Sequence, residues 1–209
     1  MRVATHGLWA CAKELSARGV DVQEWLRENG LSELDLVRPA VRPEWPAVAR
    51  AIDHALDRIG PDGLRAAGRR APSHPIVERI SGLIPRTRNT LVPYRIFTLI
   101  VSGSLFPVLT MTLRDGALHG AIHDGFDPCE GVFHLLAGAL EVTPTFYGQP
   151  ATPVTLDAGP RSARLLPGDG VSGAELDPND QALVDSMAIR MLRATTFELD
   201  QLRAEKGRR

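Results

Sequence analysis

His119 and His123 stand four residues apart, with Cys129 and His134 close behind, and imidazole and thiolate are the groups from which zinc and other transition-metal sites are built. The spacing argues against such a site. If the first two lie on a strand they share a face about 13 Å apart, whereas a metal holds its ligand atoms at about 2 Å. Cys129 and His134 would have to fold back beside one strand histidine, and packed or surface histidines are the simpler reading. Cys129 stands near a helix start, where a thiol pKa can fall and redox sensing becomes conceivable. A structural cysteine explains it with less. Arg86 and Arg88, near Tyr94 and Arg95, have the chemistry to hold a carboxylate or phosphate at a pocket entrance, and solvated helix charges explain them equally well. Nucleophilic and phosphate chemistry lack their signatures: there is no Gly-x-Ser-x-Gly elbow, Gly-x-x-x-x-Gly-Lys loop or His-Glu-x-x-His helix. The expectation is a non-enzyme with no catalytic residue, no metal and no cofactor.

The elements that would position these groups are readable around residues 105–156. Phe106 to Thr112 alternates β-formers, Arg114-Asp115-Gly116 supplies a turn, and Ala117 to His123 alternates again, which predicts a hairpin. Cys129 to Leu140 spaces Val132, Phe133, Leu136 and Leu140 as a helix does, and Val154 and Leu156 resume as a strand after a break at Pro144 to Gly148. Upstream, Gly7 to Arg18 and a segment capped by Asp21 and closed by Gly30 predict a helical pair. Trp45 to Ile59 predicts a third helix ended by Gly60-Pro61, and Pro75 to Leu83 and Thr90 to Val101 continue the helical part. The fold class is therefore α+β: an N-terminal helical subdomain, a small antiparallel sheet with a covering helix, and a long C-terminal helix. Tyr94, Phe97, Ile100, Phe106, Leu109, Phe133 and Leu136 are the candidate lining of an apolar pocket between helices and sheet, most of them also ordinary core.

Composition narrows the class further. A chain of 209 residues that is 44% hydrophobic can bury a substantial core, and a net charge of -1 without basic blocks speaks against a nucleic-acid groove. Two cysteines, Cys11 and Cys129, are too few for a secreted disulfide framework, and the N-terminus does not read as a signal peptide, so a cytoplasmic protein is expected. Ile96 to Leu113 carries no charge over nearly a membrane-spanning length, but Ser102-Gly103-Ser104 and Pro107 interrupt it, so no membrane segment is expected.

Residues 158–176 are rich in Gly, Pro, Ser and Asp and read as a linker, with Ser162 to Leu166 as a possible edge strand. Domain limits at 1–157, 158–176 and 177–209 follow. Asp177-Pro178 is a helix start, and Leu192, Leu199 and Leu202 recur at seam spacing in a run without internal Gly or Pro. A helix from Pro178 to Glu205 would extend about 40 Å, enough to project and form a coiled-coil-like homodimer, or else to pack back on its own domain.

The helical opening with GVDVQEWLRENGL, followed by FPVLTMTLRDGALH, GFDPCEGVFHLLAGAL and YGQPATPVTL, resembles the haem nitric-oxide-binding (H-NOX) superfamily. It is also similar to the related ligand-binding N-terminal domains of AraC-type regulators and some sensor histidine kinases. The resemblance runs loosely over residues 5–157 and implies a sensory fold that passes ligand occupancy to an output. The haem-binding members have a Tyr-x-Ser-x-Arg signature and a proximal histidine on a preceding helix. His119, Ala121 and His123 stand at the signature positions, and no histidine occurs between His74 and His119. The resemblance thus implies a non-haem variant, whose expected ligand is an apolar or amphipathic small molecule and whose expected partner is a signalling output domain or protein. A protein-interaction scaffold without ligand, and a haem or metal sensor with different ligation, are the alternatives.

Overall fold

The computed structural model describes residues 1–37, 42–70, 87, 89–168, 176–187 and 189. Helix α1 (His6–Ala17) buries Leu8, Cys11, Ala12 and Leu15 along one face and is followed by Gly19 at φ 78°. In α2 (Val22–Glu28) the Asp21 side chain accepts from the amides of Gln23 and Glu24, at 2.9 and 3.1 Å. Those bonds satisfy two of the amides a helix start leaves without partners. A short α3 (Glu33–Val37) follows.

The helical span Trp45–Arg70, α4, is two helices joined across a kink, and the first ends at Gly60 as expected. Gly60 takes φ 72° and ψ 175°, a conformation essentially confined to glycine, and Pro61 then restarts the helix. Its missing N–H costs nothing there, and its fixed φ is already helical. The resumed half buries Leu64 and Ala67. The expected helix at Pro75 to Leu83 lies outside the described residues.

Helix α5 (Leu91–Ile100) runs into a π turn, Val101–Leu105, so the uncharged stretch that follows Ile96 is helix, turn and strand. No helix among the described residues is long and apolar enough to cross a membrane. Strands β1 (Leu109–Arg114) and β2 (Ala117–Ile122) pair antiparallel from Leu109 opposite Ile122 to Arg114 opposite Ala117. The turn between them holds Asp115 at φ 51° and Gly116 at φ 72°, as a two-residue hairpin turn matched to strand twist requires. The strand starts at Leu109 rather than Phe106, because the Phe106 amide donates to Val101 O and its carbonyl accepts from Leu109 N.

Helix α6 (Glu130–Val142) and a 3-10 turn (Thr143–Tyr147) lead to β3 (Val154–Ala158) and β4 (Ser162–Pro167). The sheet order is β1-β2-β4-β3, all antiparallel. Ser162 to Leu166 is therefore an interior strand and not an edge. Ala163 and Leu165 face the core opposite Gly120 and Leu118, and this two-sided pairing holds the segment in the sheet despite its polar surroundings.

Helix α6 lies against both α4 and the sheet. A methyl group added at Gly138 would sit 2.0 Å from the Arg65 carbonyl oxygen, and one at Gly68 2.0 Å from that of Leu135, so the two helices touch backbone to backbone. On the other side Phe133 fills the space left by Gly120 of β2. Buried carboxylates tie the layers together. Glu141 accepts from Arg65 and from Arg69, the latter at 2.6 Å, while Arg65 also donates to Val154 O. Glu14 accepts from Arg18 and Arg70 at 2.9 and 2.8 Å. Both of these buried carboxylates are thus paired, without which their burial would cost several kcal/mol.

Residues 178–187 are helical and lie back on the domain: Val184 and Met187 are buried with Val92, Ile96 and Tyr147. Leu192, Leu199 and Leu202 lie outside the described residues.

Candidate ligand site around helix α5

Helix α5 has two apolar faces. Leu91, Tyr94 and Phe97 recur at three-residue steps and point into the main core, whereas Val92, Ile96 and Ile100 recur at four-residue steps on the opposite side. The main core therefore brings together six of the seven expected lining residues: Tyr94, Phe97, Phe106, Leu109, Phe133 and Leu136, all buried. Ile100 falls on the other face, against the second cluster. Phe106 meets Trp45 edge-on at 6.3 Å between ring centroids and lies against Gly7 of α1, so the N-terminal helices reach the same region. Tyr94 brings a polar group to this apolar wall. Burial raises its phenol pKa above the ordinary value, and a hydrogen bond to Thr152 opposes the rise. Tyr147, in the second cluster, is raised by burial alone.

The groups that suggested metal or redox chemistry are dispersed. His119 stands on the outer sheet face, in a cross-strand row with Thr112, Arg164 and Asp157. His123 Nε2 lies 2.7 Å from Thr110 Oγ1. His134 lies on α6, with Nε2 3.7 Å from Glu130 Oε1. Among the described residues no three His, Cys, Asp or Glu side chains are grouped to hold a metal. Cys129 immediately precedes α6, but burial, and after it the nearby Asp53 carboxylate, push its thiol pKa well up, the opposite of an activated thiolate. Cys11 is likewise pushed up to about 12 by burial. Asp53 accepts from the Gly131 amide at 2.9 Å, and burial raises its own carboxyl pKa. Arg95 is exposed, and Arg86 and Arg88 lie outside the described residues.

Among the described residues, the positions that the resemblance compares with the haem-binding signature lie on β2 and just past its end. Helix α5, which leads into the sheet, carries no histidine. His119 and Ala121 project from the sheet face opposite the core, and the inward row of the same strand is Leu118, Gly120 and Ile122.

No family model matches the chain, and no curated protein matches it. Solved structures do. One is a doubly substituted Tt H-NOX, 11% identical, aligned over 83% of this chain and 100% of the other with a TM-score of 0.47. That likeness assigns no residue a role.

Reading the sequence for a pocket on one side of α5 misses its second face and what covers it. The signal was present in Val92, Ile96 and Ile100, whose four-residue spacing marks an apolar stripe of its own. The arginine clamps on Glu14 and Glu141 carry no such signal, because their partners lie up to 76 residues apart.

Proposed function

We propose that the chain is a non-enzymatic sensory or regulatory domain that binds an apolar or amphipathic small molecule between α5 and the β1–β2 hairpin. Occupancy is relayed through the C-terminal helix to a signalling output such as a histidine kinase or a transcription regulator. The two-sided packing of α5 carries this reading. A ligand that displaces Tyr94 or Phe97 displaces Val92 and Ile96 with them, since all four ride on one rigid helix, and Val184 and Met187 rest on that second pair. The ligand shifts the helix only by binding the two arrangements unequally. The aromatic and aliphatic walls select for apolar bulk, and the Tyr94 hydroxyl supplies one orienting contact. A cytoplasmic location accords with two unpaired, buried cysteines. Self-association of residues beyond the docked segment, through Leu192, Leu199 and Leu202, belongs to the same proposal.

Native mass spectrometry of the freshly purified chain, followed by a thermal-shift screen of small apolar and amphipathic compounds, tests it. The expected result is a one-to-one complex that Phe97→Trp abolishes by filling the site. A chain that retains and binds none of them supports the alternative, a packed scaffold whose surfaces alone recruit partners.

A further inference from the structure

Asn89 makes two contacts in opposite directions. Its Oδ1 accepts from the Leu91 amide at 2.9 Å and so closes the first turn of α5, while its Nδ2 donates to Asp180 Oδ2 at 2.6 Å. Asp180 belongs to the helical run 178–187, and its other carboxylate oxygen lies 3.4 Å from the Thr87 hydroxyl that donates to it. Gln149, just past the 3-10 turn, donates from Nε2 to the carbonyls of Thr87 and Asn89 at 3.0 and 3.2 Å, which fixes the backbone presenting both side chains. The helix start is itself capped, with Asp177 Oδ1 accepting from Asp180 N at 2.8 Å.

The remainder of this docking surface is apolar: Val184 and Met187 on Val92, Ile96 and Tyr147. Apolar burial is non-directional, so it holds the helix on α5 without fixing where along α5 it rests. A hydrogen bond to a carboxylate is directional and stronger than a neutral one, and here it ties the first turn of the C-terminal helix to the first turn of α5. We infer that the Asn89–Asp180 hydrogen bond is a latch that sets the docked position of the C-terminal helix and couples it to the N-terminal turn of α5. This deepens the proposed function and rests on its assignment of the C-terminal helix as the output element.

The two roles of Asn89 can be separated. Asn89→Asp keeps an oxygen for the Leu91 amide but sets a second carboxylate against Asp180. Combining it with Asp180→Asn restores a donor and an acceptor with their places exchanged. Hydrogen exchange of the full chain, followed by mass spectrometry, reads the amides of residues 182–187 against those of α6 as an internal reference. The latch predicts that Asn89→Asp speeds exchange in 182–187 by about tenfold while α6 is unchanged, and that the double variant returns it toward the original rate. Unchanged exchange in the single variant, an equal rise in α6, or a double variant as fast as the single one would each overturn it. No ligand enters this experiment, so its failure leaves the ligand reading standing, and failure of the ligand search leaves the latch standing.

Discussion

At Gly138 a single methyl group decides whether two helices can meet. With 2.0 Å between that methyl and the Arg65 carbonyl oxygen, backbone has to move, because no flexible side-chain end is there to yield. Gly138→Ala should destabilise the chain by about 3 kcal/mol or more in urea denaturation, the upper end for overpacking. At Gly103, where an added methyl meets nothing within 4 Å, Ala should change stability by no more than about 0.5 kcal/mol. Equal effects at the two positions would mean that α4 and α6 are not in backbone contact. Glu14 supplies a pH signature. Burial is the largest influence on its carboxyl and raises the pKa, but the hydrogen bonds and charges of Arg18 and Arg70 together outweigh it, leaving the value below the ordinary 4.5. A carboxyl with a lowered folded-state pKa contributes stability above its unfolded value, and that contribution is lost as pH falls through the folded one. Glu14→Gln should therefore show a shallower loss of stability than the parent chain below about pH 4.5, measured as denaturation midpoint against pH. Parallel curves for the two proteins would remove Glu14 from the acid response.

Elements differ in how far their residues announce them. The hairpin is legible because alternation and Asp115-Gly116 agree, one setting the face and the other the turn that joins matched strands. Helices α1, α2 and α6 are legible from spacing and flanking residues. The break in α4 is legible from Gly60-Pro61, whereas the second helix that Pro61 starts is not, because what it packs against is tertiary information. Strand β4 is mistaken for an edge because its flanks are Gly, Pro and Ser, while its interior place is decided by pairing with β2, more than 40 residues earlier. The apolar types of the candidate lining residues are legible, but which face of α5 each occupies, and what covers the second face, is tertiary information. The break in α4 carries its own prediction. Gly60→Ala should cost about 1–3 kcal/mol in urea denaturation even though a methyl there meets nothing within 4 Å, because the cost is conformational. A silent substitution would mean that the chain passes Gly60 in an ordinary conformation.

Among the described residues, the sheet and helix α6 are backed by α4 and α1, with α5 between this core and the docked helical residues 178–187. The proposed output through residues beyond these predicts a dimer of the intact chain. By sedimentation equilibrium, the chain shortened after Ile189, which keeps Val184 and Met187 in place, should be monomeric where the full chain is dimeric. A shortened chain that still dimerises would place self-association in the globular part. The central claim, that α5 carries a change on its inner face to the C-terminal helix on its outer face, is tested most directly by hydrogen exchange in two core variants. Phe97→Leu alters the inner face of α5, and Phe133→Leu alters a packed residue of α6 facing Gly120. At matched global stability, the account predicts faster exchange in residues 182–187 for Phe97→Leu and parent-like exchange there for Phe133→Leu. The same exchange in both variants would contradict it.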